Sequence, residues 1–138
     1  MSIGADLDRL RAVPLFAGLP EGTLSRLADA LSAADIGTGQ TLAQRHDAGS
    51  GMYIIEEGTV AVELHGRSVE LGPGEFFGEL SLLVPDARRS ARVRAVTPVR
   101  CLAIGRSDLA GILESEPALA LAMLRSLAKR LLDEIEAA

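Results

Sequence analysis

Between Asp35 and Ile104 the chain is cut by glycine into short β-rich runs, while helical spacing is confined to the two ends. "IGTGQTLAQ", "GMYIIEEG", "TVAVEL" and "RSVELGPG" follow one another at close intervals, the pattern of an antiparallel sandwich or barrel. Alternation is cleanest at Val60, Val62 and Leu64, which are expected to face inward, with Ala61, Glu63 and His65 facing out. "EEGT" and "HGRS" read as hairpin turns with glycine where positive φ is wanted, and "LGPGEFF" as a glycine-bracketed corner. Strands resume at "SARVRAV" and "VRCLAI".

The flanks follow a different period. "ADLDRLRAV" predicts a short amphipathic turn ending before Pro14, and Leu24, Leu27, Ala28 and Leu31 make the inner face of a second helix, with Arg26 and Asp29 outside. Near the other end Ser107 is expected to cap "SDLAGIL", and Ser115 to cap a longer helix with Pro117 in its first turn. In that helix Leu121, Leu124, Ala128, Leu131 and Ile135 recur at spacings of three and four, close to a coiled-coil seam, and Leu127 and Leu132 widen it. Such a stripe either covers the strands or pairs with a second chain. The expected fold class is α+β: an antiparallel jelly-roll-like β-barrel with N-terminal helices and two C-terminal helices.

Several function classes are disfavoured. The net charge of −5 argues against a general nucleic-acid binder. Arg88, Arg89, Arg92, Arg94, Arg100 and Arg106 nonetheless lie in one stretch without an acid, either wet-face residues of strands or a local field that gathers a small anion. Cys101, the one cysteine, sits in an apolar alternation where an inert buried thiol is expected. The N-terminus has acids where a signal peptide carries basic residues, and "ALALAML" is far short of the ~20 residues that span a bilayer. A cytoplasmic protein without membrane insertion is expected. His46 and His65 are too few for a facial metal site, which sets aside a cupin-type metalloenzyme. No serine or cysteine stands in a recognisable nucleophile setting, and Glu56–Glu57 and Asp133–Glu134 read as solvated acids, so no enzyme is expected.

One segment does carry chemistry, "FFGELSLLVPDARRSARV" from Phe76 to Val93. Gly74 and Gly78 allow tight turns and close approach to a ligand. "ELSLL" is long enough for one helical turn whose free N–H groups can receive an anionic oxygen, and the Arg89 guanidinium can clamp the same anion. Glu79 would repel a phosphate, so its useful partner is a hydroxyl donor. A ribose phosphate presents both groups. A core strand followed by a solvated arginine loop is the alternative.

At Phe77-Gly78-Glu79-Leu80-Ser81-Leu82 and Arg89-Ser90-Ala91-Arg92-Val93 the chain resembles the phosphate-binding cassette of the cyclic nucleotide-binding domains, which occur in catabolite-activator-type regulators, cyclic-nucleotide-gated channels and kinase regulatory subunits. "VPLFAGLP", the central hairpin "GSGMYIIEEGTVAV" and the two closing helices extend the resemblance over nearly the whole chain. It implies a single domain, 1–138, with N-terminal helices in 1–33, strands in 34–104, the cassette at 76–93 and C-terminal helices in 105–138, the last forming a lid. It further implies that Glu79 accepts the ribose 2′-OH beside Gly78, Leu80 and Ser81. Arg89 would bind the cyclic phosphate with Ser90 and Ala91, while Arg130 and Glu134 lie in the window that caps the base.

"RHDAGSG" departs from the family's usual motif before the central hairpin. Ser90 fits either purine; cyclic AMP is the expected ligand, with cyclic GMP the alternative. The implied function is a sensor domain without a catalytic or DNA-binding part, signalling through its last helix, since a helix-turn-helix would have to follow the acidic "DEIEAA". Its output would be an effector protein, a homodimer through that helix, or the remainder of a larger channel or regulator. A nucleotide-independent docking module on the same fold is the competing reading.

Overall fold

Two neighbouring strands with apolar side chains on both faces set the layering. The computed structural model describes residues 7–43, 51–64, 66–78 and 92–137. In it β3 (Gly51–Glu57) pairs antiparallel with β8 (Val99–Gly105), Ile54 opposite Leu102 and Ile55 opposite Cys101. Successive side chains of a strand point to opposite faces. Met52, Ile54, Leu102 and Ile104 therefore enter a core shared with the helices, while Ile55, Val99 and Cys101 enter a second core between the sheets. Burial on both faces explains why these strands read as nearly unbroken apolar runs.

β1 (Ser32–Ile36) flanks β8, and β6 (Phe76–Phe77) flanks β3, giving the sheet order β1-β8-β3-β6. The second sheet has the order β2-β7-β4-β5, formed by β2 (Thr41–Ala43), β7 (Arg92–Ala95), β4 (Val60–Leu64) and β5 (Arg67–Leu71). Its inner face contributes Val60, Leu71, Val93 and Ala95. Among the described residues the two ladders stay separate, so the jelly-roll-like expectation holds as a sandwich rather than a closed barrel. Helices α1 (Leu7–Arg11), α2 (Glu21–Ala30), α3 (Arg106–Ser115) and α4 (Pro117–Ala137) flank the strands, with a 3-10 turn at Pro14–Phe16. Leu10, Phe16, Leu24, Leu27 and Leu31 from the N-terminal part and Leu109, Ile112, Leu119 and Met123 from the C-terminal helices share one core with the first sheet. No helix among the described residues is long and apolar enough to cross a membrane.

Local expectations met mixed outcomes. "HGRS" is a hairpin, with Leu64 opposite Arg67 and Gly66 at φ 71°. "EEGT" is not, because β3 and β4 belong to different sheets. Gly58 there carries the chain from one sheet to the other at φ 93°, and a Cβ would lie 2.2 Å from the Pro98 carbonyl oxygen. That approach is closed to any other residue. Ala61 is buried as well as Val60; it lies between Glu70 and Arg94 in register, two longer side chains on its own face. Leu31 closes α2, and β1 begins at Ser32, two residues before the expected boundary. Gly105 occupies the N-cap of α3 in place of Ser107. Ser115 ends that helix, its hydroxyl donating back to the Gly111 carbonyl, so it does not cap α4. Cys101 is fully buried, and burial pushes its thiol up to about 11, which makes it inert.

The expected seam of α4 does not cover the strands. Leu119 and Met123 are buried and Leu127 partly so, whereas Leu121, Leu124, Leu131, Leu132 and Ile135 are exposed, Leu124 by 63%. At 100° per residue the two sets are centred roughly 130° apart, with Leu127 and Leu131 adjacent where they border each other. A four-residue step (119, 123, 127) runs along the buried side, and the seam runs along the wet one.

Glu116, the one residue between α3 and α4, ties their junction to α2. It accepts from the buried Thr23 hydroxyl at 2.8 Å and from Arg26 at 3.1 Å, and Arg26 also donates to Ser115. The Thr23 bond first, then Arg26, holds the Glu116 carboxyl below its ordinary 4.5. A folded-state pKa below the unfolded one stabilises the fold above the unfolded value and loses that contribution as pH falls through the folded one. Glu116→Gln is therefore expected to lower the melting temperature at pH 7, with the gap to wild type closing below about pH 4.5. Thermal melts of both proteins from pH 7 to pH 3 check this; a gap independent of pH would refute it.

Candidate functional site

The cassette-like segment is held at both ends by side chains in the cores. At its entrance Phe77 pairs with Tyr53 and Phe76 with Ile54. Alternation sends Phe76 into the helix-side core and Phe77 between the sheets, and the Tyr53 and Phe77 rings stack with centroids 5.2 Å apart. Gly78 follows at φ 97°, where only glycine is unstrained, so the chain turns sharply out of β6. At the exit Arg92 opens β7 opposite Glu63, and Val93 returns to the inter-sheet core opposite Val62. The segment 79–91 thus joins an edge strand of one sheet to an inner strand of the other. Glu79, Leu80, Ser81, Arg88, Arg89, Ser90 and Ala91 lie outside the described residues, as do His46, His65 and most of "RHDAGSG".

Two site expectations fall on α4, and they face different neighbours. Arg130 donates from Nη2 to the Phe76 carbonyl at 2.9 Å, and its guanidinium carbon lies 5.0 Å from the centre of the Phe76 ring. A hydrogen bond from a charged donor contributes about 1.5–3 kcal/mol, and a cation over an aromatic face about 0.5–2 kcal/mol. Glu134, one turn on, pairs with Arg67 of β5 at 3.3 Å. Both of those groups are about half exposed, a setting in which an ion pair is worth about 0–1 kcal/mol. Arg130 is the stronger attachment. Nothing local in the sequence signals it, because its partner lies 54 residues away.

Within the arginine stretch, Arg92, Arg94 and Arg100 are paired wet-face residues of strands, and Arg106 opens α3. Arg92 and Arg94 both bond Glu63, at 2.9 and 3.0 Å, and Arg100 reaches Asp35 at 3.4 Å and Glu57 at 3.8 Å. The Arg94 bond and then the Arg92 bond hold the Glu63 carboxyl below the usual carboxylate range. These three cations therefore add little net field beside the cassette. A cleft of about 570 Å³ lies between Val13 and Pro14, the Gly74 corner and the Glu57 end of β3, with Arg100 on its wall. Its charges are matched, Glu56 holding Arg9 at 2.5 and 2.7 Å, and β6 runs away from it toward Gly78. That cleft is a seam between α1, the Gly74 corner and the sandwich.

Comparison with known proteins agrees with the fold and with the segment. The family model for the cyclic nucleotide-binding domain matches residues 35–116. A cyclic nucleotide-gated potassium channel of Rhizobium etli is 37% identical over 109 residues, which are 79% of this chain and 30% of that protein. The cAMP-dependent protein kinase type II regulatory subunit of Drosophila melanogaster is 39% identical over 99 residues, 68% of this chain and 26% of that protein. The chain thus spans less than a third of the length of these relatives. The crystal structure of the N-terminal domain of a transcriptional regulator from Streptomyces coelicolor is 36% identical with a TM-score of 0.65, covering 95% of this chain and 94% of that one. With two antiparallel sheets, flanking helices and the cassette residues in order, this chain belongs to the cyclic nucleotide-binding domain family.

Proposed function

We propose that the chain is one sensor domain, 1–138, that binds a cyclic purine nucleotide at the 76–93 cassette and signals through α4. The observation that carries this reading is the anchoring of the cassette's two ends. Gly78 leaves one sheet and Arg92 enters the other, so Glu79 and Arg89 sit on a single connection between two fixed points. In this role Arg89, Ser90 and Ala91 hold the cyclic phosphate, and Glu79, Gly78, Leu80 and Ser81 hold the ribose. Cyclic AMP is the favoured ligand and cyclic GMP its competitor. The domain performs no catalysis, works in the cytoplasm, and passes its output to an effector protein or to a further part of a longer chain. Titration calorimetry with both nucleotides tests it. Arg89→Ala is expected to weaken binding by about 2–5 kcal/mol, the usual cost of removing one partner of a desolvated charge pair. Unchanged binding in that variant would overturn the cassette assignment. Glu79→Gln is expected to narrow the preference for a ribose over a 2′-deoxyribose ligand; a wild type with no such preference would remove its ribose role.

A second reading concerns the partner, and the outer face of α4 favours it. Leu121, Leu124, Leu131, Leu132 and Ile135 form an exposed apolar stripe at seam spacing, which suits a second copy of this helix. Sedimentation of wild type against Leu124→Glu/Leu131→Glu is expected to show a dimer that the double variant abolishes. A monomeric wild type at tens of micromolar would leave the face to a different partner.

A further inference from the structure

We propose that Arg130 is a positioning residue, which acts on the nucleotide site through Phe76 rather than by touching the ligand. The inference rests on the sensor reading above and adds the route by which α4 and the cassette influence each other. Beyond Leu127 no side chain of α4 is buried among the described residues, and the outer apolar residues face away from the sandwich. The Arg130 guanidinium reaches back across that stretch, bonding the Phe76 carbonyl and lying over its ring. Phe76 is 2% exposed and belongs to a strand of two residues, and Gly78, two residues on, is where the cassette departs. A displacement of β6 therefore alters the Arg130 contact, and a displacement of α4 alters the backbone that feeds the cassette. Such coupling is reciprocal: whatever α4 docking adds to nucleotide affinity, the nucleotide adds to α4 docking.

The test uses the full chain and two readouts on wild type, Arg130→Lys, Arg130→Gln, Phe76→Leu and the double variant Arg130→Gln/Phe76→Leu. Amide hydrogen exchange of the last turns of α4 is measured without nucleotide, and affinity is measured with cyclic AMP. Arg130→Gln is expected to speed exchange in those turns and to weaken cyclic AMP about tenfold, within the usual range for coupled sites. Arg130→Lys keeps a cation over the ring and is expected to retain most of both effects. Phe76→Leu is expected to move both readouts in the direction of Arg130→Gln, and the double variant to lose less than the product of the two single losses. Losses that multiply, or an Arg130→Gln that weakens cyclic AMP without changing exchange, would make Arg130 a direct ligand contact and overturn the proposal. No change in either readout would overturn it outright. A wild type that binds neither cyclic nucleotide defeats the sensor reading and the coupling together, while the exchange measurement alone still decides whether Arg130 holds the helix.

Discussion

The pairing of β3 with β8 is the contact on which both cores rest. Ile54 opposite Leu102 and Met52 opposite Ile104 build the floor on which the helices pack, and Ile55 opposite Cys101 builds the ceiling of the inter-sheet core. Full burial of one large apolar side chain contributes about 1.5–3 kcal/mol. A single register slip would exchange the two faces of a strand and mismatch both cores at once. The pairing is therefore strongly specified, and everything else in the domain is placed relative to it.

β6 inherits its position from that pair but is much less secured by backbone. It has two residues and lies at the edge of its sheet, so few ladder bonds hold it. Its security comes from side chains: Phe76 and Phe77 are each nearly buried, one in each core. The point where the cassette departs is thus set by packing and by the Arg130 contact more than by strand pairing. An edge strand held in this way can respond to α4, whereas an inner strand such as β8, clasped by β1 and β3, cannot do so without breaking two ladders.

The layers were legible in the sequence because burial leaves a periodic trace. Leu24, Leu27 and Leu31 announced the inner face of α2, and "GMYIIEEG" and "VRCLAI" announced strands, whose burial on both faces only the pairing shows. The cassette was legible for a different reason, namely that Phe77 to Leu82 and Arg89 to Val93 match a family motif residue by residue. Contacts between distant residues left no such trace. Arg9 with Glu56, Thr23 with Glu116 and Arg130 with Phe76 are 47, 93 and 54 residues apart and depend on side-chain reach. The "EEGT" turn misled because glycine with positive φ serves a sheet-to-sheet corner as readily as a hairpin, and only the pairing partners tell them apart. In α4 the seam spacing was real, but periodicity does not say which of two apolar stripes meets the core.

That ambiguity in α4 has a mechanical consequence. Its inner side is apolar only over the early turns, at Leu119, Met123 and Leu127, and polar afterwards, at Arg130 and Glu134. Its outer side is apolar almost to the end, through Leu131, Leu132 and Ile135. The early turns are consequently fixed by burial, and the late turns by the Arg130 contact with Phe76 and the exposed Glu134–Arg67 pair. A partner seated on the outer stripe would grip mostly the late turns. Because Arg130 lies roughly 150° around the helix from the centre of the outer stripe, a partner seated there would not have to displace the Phe76 contact. Under the proposed coupling, a change at β6 too small to disturb the sandwich would be handed to the apolar surface outside, with the part of α4 beyond Leu127 as the lever.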